Sequence, residues 1–195
     1  MATRATPLPP EARRASIVAA TVPLLRTHGS AVTTAQIAIA AGVAEGTLFR
    51  AFADKDALIA AAIKAAFDPG PTEARIAAID RALSLRDQLL AIVEILQHRV
   101  EQVWQLMTSL NLSIPPPKRG EGLHDDSGIR EQITSIFAPH VGELRCDATY
   151  ATRMLRALAF AGTHPRITDG HPFTAAEIVA ILLDGIRRRE DPELC

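Results

Sequence analysis

Between Thr33 and Phe52 the chain gathers residues suited to holding a polyanion and reading base edges. The Thr47 hydroxyl can donate to a phosphate oxygen, and the Arg50 guanidinium can reach guanine O6 and N7 or a phosphate. Ala44, Glu45 and Gly46 open a helix whose free N–H groups can meet a phosphate. Gly46, with no side chain, lets the backbone come close to DNA. Glu45 repels phosphates unless it accepts from a cytosine amino group.

Such residues act only if a frame presents them together. Two short helical patterns fill residues 33–52, broken by a single glycine, Gly42, with apolar residues spaced to pin the helices at a steep angle. That is the layout of a helix-turn-helix, whose second helix enters the DNA major groove. Thr33 or Thr34 is a good N-cap for the first helix, in which Ile37, Ala38 and Ala41 face inward. Gly42 supplies the backbone freedom of the turn and Val43 plugs the junction. The second helix runs from about Glu45, with Leu48 and Phe52 buried. A bland reading also exists, in which the same motif is only structural and never meets DNA.

The surrounding elements are helical as well. A first helix starts near Glu11, buries Ile17, Val18, Val22, Leu24 and Leu25, and ends at His28-Gly29. Pro23 lies inside it and removes one hydrogen bond, which predicts a kink and not a break. Asp54 caps a helix over Lys55 to Phe67 that buries Leu58, Ile59, Ala62 and Ile63, and Asp68-Pro69-Gly70-Pro71 stops it. These signals divide the chain into a mobile N-terminal arm over 1–10, a small domain over 11–68 and a larger helical domain over 69–195. In the larger domain a long helix is expected from about Arg86 to Leu112. Shorter helices follow over Ile129–Phe137, Asp147–Gly162 and Thr174–Arg189, the last opened by the capping box Thr174-x-x-Glu177. The segment Ile114-Pro115-Pro116-Pro117-Lys118-Arg119-Gly120 reads as a long connection, either an effector gate or a plain loop.

Residues Gly42-Val43-Ala44-Glu45-Gly46-Thr47-Leu48-Phe49-Arg50-x-Phe52-x-x-Lys55-x-x-Leu58 resemble the DNA-binding domain of TetR-family transcriptional regulators. The resemblance covers about Ile17 to Phe67, and beyond residue 70 it is one of architecture only. It implies an all-α fold with an N-terminal helix-turn-helix domain and a C-terminal helical effector-binding and dimerisation domain. It also implies that Lys55 binds phosphate. With the physical rationale above, the DNA-contact set is Thr33, Thr34, Ala44, Glu45, Gly46, Thr47, Phe49, Arg50 and Lys55. Phe49 stands where the family commonly has tyrosine and can only pack on a sugar or a thymine methyl. Ala44 stands where a serine cap is common, which costs up to ~1 kcal/mol of helix-start stability.

Composition limits the alternatives. The 195 residues are 48% hydrophobic and 22% charged, which suits a folded globular chain. The net charge of −1 conceals an asymmetry: residues 1–60 carry +2 and the remainder −3, a sign that permits DNA binding. No apolar run approaches a membrane span, so no membrane partner is expected. Only Cys146 and Cys195 are present and the six histidines are scattered. Neither a metal site nor a disulfide framework can be built from them, and a reducing cytoplasm is the expected compartment. Paired carboxylates in a supporting context, a nucleophile–base signature and a phosphate loop are all missing, so no catalytic residue and no cofactor are expected.

In the larger domain the stripe Leu89, Ile92, Leu96, Arg99, Val103, Leu106 and Leu110 is interrupted by Arg99. That arginine pairs with a carboxylate or a helix C-terminus for structure, or lines a pocket and meets a polar ligand group. Leu96, Arg99, Val100, Val103, Trp104, Met107, Phe137, Met154 and Leu158 are the candidate lining for an unidentified, largely apolar small-molecule effector, and plain core is the competing reading. His98 falls on the solvent stripe. By resemblance, the last two helices pack as an intermolecular four-helix bundle, with Leu155, Ala159, Gly162, Ile178, Leu182 and Ile186 at the contact. The function that follows is a homodimeric repressor released from a palindromic, double-stranded DNA operator by an effector. The alternative is a helical adaptor whose helix-turn-helix no longer binds DNA.

Overall fold

The computed structural model describes residues 9–112 and 126–187, and these are helical with no named strand. They form two units, the first reaching to Asp68 and taking in the segment that begins at Gln105, the second holding the rest.

In the first unit, α1 covers Pro10–His28, α2 Thr34–Ala41, α3 Glu45–Ala51 and α4 Lys55–Ala66. Proline at the start of α1 is preorganised for a helix, and Glu11 in its first turn and Arg26 and His28 in its last complement the helix dipole. Ile17, Thr21 and Leu25, one turn apart each, are fully buried. Burial costs Thr21 nothing in unmet hydrogen bonds, since its hydroxyl donates to the Ile17 carbonyl at 2.8 Å. The helix continues without a break through Pro23, which is exposed, as is Ala19, so the carbonyl left without a donor is on the wet side. Val32, Ile37, Leu48, Phe52, Leu58, Ala62 and Phe67 complete this core.

α1 ends at Gly29, whose φ of 56° and ψ of −141° suit glycine alone. A Cβ there would lie 2.2 Å from the Ser109 carbonyl oxygen. The Ser109 hydroxyl in turn donates to the Leu25 carbonyl at 2.7 Å, and Leu106 and Met107 beside it are buried. The end of the long helix thus belongs to the packing of the first unit.

In the second unit, α5 covers Gly70–Ala77, α6 Leu85–Ser109 (its last turn counted above), α7 Ser127–Phe137, α8 Ala148–Ala161 and α9 Ala175–Ile186. α5 and a 3₁₀ segment over Ala138–Glu143 are additions to the sequence reading. The core gathers Ile76, Leu89, Ile92, Val93, Ile133, Ile136, Phe137, Ala151, Leu155, Val179 and Leu182. Asp147 caps α8 by accepting from the Tyr150 N–H. Thr174 and Glu177 close the capping box of α9, and donation from the Thr174 N–H and hydroxyl holds the Glu177 carboxyl below its usual range. Arg156 reaches from α8 to Asp126 at the start of α7. Burial, with the Asp147 charge adding to it, pushes the Cys146 thiol up. α9 ends at Ile186 with Arg187 extended, short of the expected Arg189. Residues 1–8 of the expected arm over 1–10, the connection around 114–120 and Cys195 lie outside the described residues.

Candidate nucleic-acid interface

α3 is seven residues long, too short to persist alone, so its neighbours must hold it. At its start, Gly42 adopts the left-handed conformation (φ 65°, ψ 33°) and donates to the Ala38 and Ile39 carbonyls. The space around Gly42 is open, so backbone conformation and not crowding selects glycine there. Val43 follows, donating to Ala38 at 3.0 Å. Leu48 and Phe52, 1% and 3% exposed, anchor the inner face.

Ala44 is the N-cap of α3 and supplies no side-chain cap. A different device holds that end: the Thr34 hydroxyl, in the first turn of α2, donates to the Glu45 carboxylate. The bond joins the starts of the two helices and gives the Glu45 carboxylate a donor. Thr33 forms the capping box of α2 with Gln36, its N–H and hydroxyl donating to Gln36 Oε1 at 2.8 and 3.1 Å. Lys55 Nζ donates to the Ser30 carbonyl at 3.1 Å, and its ammonium keeps two further protons to give.

The outer side of α3 is left to solvent. Ala44, Glu45, Gly46, Phe49 and Arg50 are exposed and Thr47 is half-buried. A Cβ on Gly46 would meet no atom of this chain within 4 Å, so the protein's own packing places no demand for glycine there. Phe49, 52% exposed, presents an apolar ring to solvent. A cavity of about 430 Å³ runs alongside, lined by Glu11, Arg13 and Arg14 of α1 and by Ala44, Thr47 and Arg50. Sequence reading passed over Arg13 and Arg14. Two adjacent arginines at a helix start were the available signal, but nothing local tells which element they face.

Residues 17–62 match the model of the bacterial regulatory proteins, tetR family. Over these residues the chain carries a domain of that family. That family is one of DNA-binding transcriptional regulators, typically ligand-responsive repressors. No curated protein sequence matches the chain. Among solved structures it is similar to the TetR transcriptional regulator SCO0520 from Streptomyces coelicolor, at 23% identity and a TM-score of 0.57, over 89% of this chain and 98% of that one. It is also similar to a TetR-family regulator from Mesorhizobium loti, at 15% identity and a TM-score of 0.60, over 93% and 100%. A third is the TetR family protein CprB from Streptomyces coelicolor, at 22% identity and a TM-score of 0.56, over 91% and 90%. At such identities the likeness concerns the fold.

The expected effector residues are dispersed. Phe137 and Leu96, 0% and 8% exposed, belong to the core of the second unit, and Val100, Val103, Trp104, Met154 and Leu158 are half-buried. Met107 lies in the first unit. Arg99 is half-buried and donates to the Thr72 hydroxyl at 3.4 Å. The Trp104 ring meets His164 edge-on at 4.4 Å, with the Arg166 guanidinium 5.4 Å from its centroid. His98 is exposed, as its stripe implied.

The residues expected at a subunit contact are turned inward. Leu155, Ala159, Ile178, Leu182 and Ile186 are at most 6% exposed and Gly162 is buried, because α8 and α9 bury these faces within their own unit. Among the outward apolar residues are Phe160, Ile167, Phe173 and Ile181, each about half exposed. Leu158, Ile167, Phe173 and Ile181 line a groove of about 390 Å³.

Proposed function

We propose that the chain is a homodimeric transcriptional repressor that binds a palindromic duplex operator and is released from it by a small-molecule effector. The exposed side of α3 carries the reading: Phe49 and Arg50 are offered to solvent, with half-buried Thr47, beside a glycine that the fold itself does not require. In this reading Arg50 reads a base edge or grips a phosphate and Phe49 packs on a sugar or a thymine methyl. Thr47 and Lys55 anchor the sugar–phosphate backbone, while Thr33, Thr34, Ala44 and Glu45 set the entry of the two helices.

Two copies supply two such helices, which must meet successive major grooves ~34–36 Å apart. The apolar residues left outside on α8, α9 and their connection, Phe160, Ile167, Phe173 and Ile181, support a second copy as the partner, since a water-exposed apolar patch gains from being covered. An effector held in the second unit near Trp104 and Arg99 shifts the population toward a conformer whose recognition helices no longer fit that spacing. Coupling of about 1–3 kcal/mol is typical of such switches.

The test pairs Thr47→Ala with Lys55→Ala in the full chain and measures binding to duplex DNA across a salt series. The double variant weakens binding and lowers the salt slope by about one, as one lost phosphate contact requires, while remaining dimeric and helical. Unchanged affinity and slope would remove these two residues from the contact.

A further inference from the structure

Arg14, on the second turn of α1, projects onto the far end of the recognition helix. Its guanidinium donates to the Ala51 carbonyl and lies over the Phe52 ring, 3.9 Å from the centroid. The last carbonyls of any helix lack an intrahelical donor, and a positive charge there also complements the dipole. In α3 the Leu48 carbonyl is met by the Phe52 N–H at 2.8 Å, and Arg14 meets the carbonyl of the final residue. The guanidinium carbon lies over the ring of Phe52, itself buried, while the same group donates to Ala51, a pairing of contacts that a flexible ammonium does not reproduce.

We propose that Arg14 is a positioning residue for DNA recognition: it clamps the C-terminal end of α3 to α1 and so sets where the adjacent Arg50 side chain begins. The proposal rests on the DNA-binding reading above. Its mechanical basis is independent of it. α3 has no side-chain cap at Ala44 and only seven residues, so the Thr34–Glu45 bond at one end and Arg14 at the other hold a helix that would otherwise fray. The clamp joins residues 37 positions apart in sequence, which makes it tertiary and not a property of the motif itself.

Arg14→Met removes the guanidinium and keeps the apolar stem, Arg14→Lys keeps the charge, and Arg14→Gln provides a second neutral variant if the first folds poorly. The DNA probe is the duplex most enriched from a random library by the wild-type chain, with a scrambled duplex for non-specific binding. Arg14→Met and Arg14→Gln are expected to lose about tenfold in affinity for the selected duplex, the loss of one charged hydrogen bond. Non-specific affinity and the salt slope stay unchanged, because no phosphate contact is removed. Arg14→Lys does not rescue. Amide exchange quickens in α3 and not in α4.

A salt slope reduced by about one, with equal weakening on both duplexes, would make Arg14 a phosphate contact and overturn the proposal. Rescue by lysine would overturn it too, as would unchanged exchange in α3. A wild-type chain that enriches no duplex overturns the functional reading, while the exchange comparison still decides whether Arg14 holds α3.

Discussion

Replacing Gly46 by alanine separates what the fold needs from what DNA needs. Gly46 sits in the first turn of α3, exposed, and an added Cβ meets no atom of the chain within 4 Å. Alanine in a helix is favoured over glycine by about 0.5–1 kcal/mol. Near a helix end the lower part of that range applies. For a chain of this size, 1 kcal/mol moves the melting temperature by roughly 2–4 °C, so Gly46→Ala should melt about 1–3 °C higher. If the α3 backbone lies against the duplex, the same methyl intrudes into a packed interface. Overpacking of that kind costs about 1–3 kcal/mol, or some 5- to 150-fold in affinity. Thermal unfolding by circular dichroism and fluorescence anisotropy with labelled duplex measure the two quantities on one preparation. The signature is opposite movement: stability up, binding down. A variant that is more stable and binds DNA equally well would refute the close approach, and a lower melting temperature would refute the assignment of Gly46 to an unstrained helical position.

Other expectations follow from single contacts. Gly29→Ala places a Cβ 2.2 Å from the Ser109 carbonyl at a positive φ and should lower the melting temperature more than any other single change named here, whereas Ser109→Ala loses one hydrogen bond to Leu25, about 1 kcal/mol, on the same thermal scan. Phe173→Glu with Ile181→Glu puts charge on the outward face of the second unit, and sedimentation should then report monomers where wild type sediments as dimers; a persisting dimer moves the interface elsewhere. Glu177 has a folded-state pKa below its unfolded one, so its contribution is complete above the unfolded carboxylate value and is lost as pH falls through the folded one. Glu177→Gln should therefore lessen the loss of stability on acidification below about pH 4, followed by thermal unfolding at stepped pH, and an unaltered acid limb would contradict it.

The first unit was legible because its signals are local. Thr33 or Thr34, Gly42 and Asp54 each mark a boundary by capping or backbone preference within three or four residues, and the structure adds Gln36 as the partner of Thr33. α5 escaped notice because Pro69-Gly70-Pro71 reads as a terminator, although a proline in the first turn is equally a helix start. The 3₁₀ segment after Phe137 was hidden the same way by Pro139. Thr72, the partner of Arg99, lies on α5 and was illegible with it.

Sidedness in α8 and α9 was illegible for another reason. α9 is apolar over most of its surface, so periodicity identifies a buried helix without saying which face meets its own chain. The packing assigns Ile178, Leu182 and Ile186 inward and Ile181 outward. Among the candidate contacts, the exposed set on α3 followed from the motif, while the Thr34–Glu45 bond and the Arg14 clamp required the tertiary arrangement.

The central claim is that α3 reads duplex DNA. Its most direct test is selection from a random duplex library by the purified full chain, followed by mobility shift of the enriched duplex with competitor DNA over a salt series. The account predicts a palindromic consensus, with half-sites about one helical turn or a multiple apart, bound in a competitor-resistant complex that weakens steadily with salt. No enrichment over the starting library, and no complex surviving competitor at any salt concentration, would contradict it.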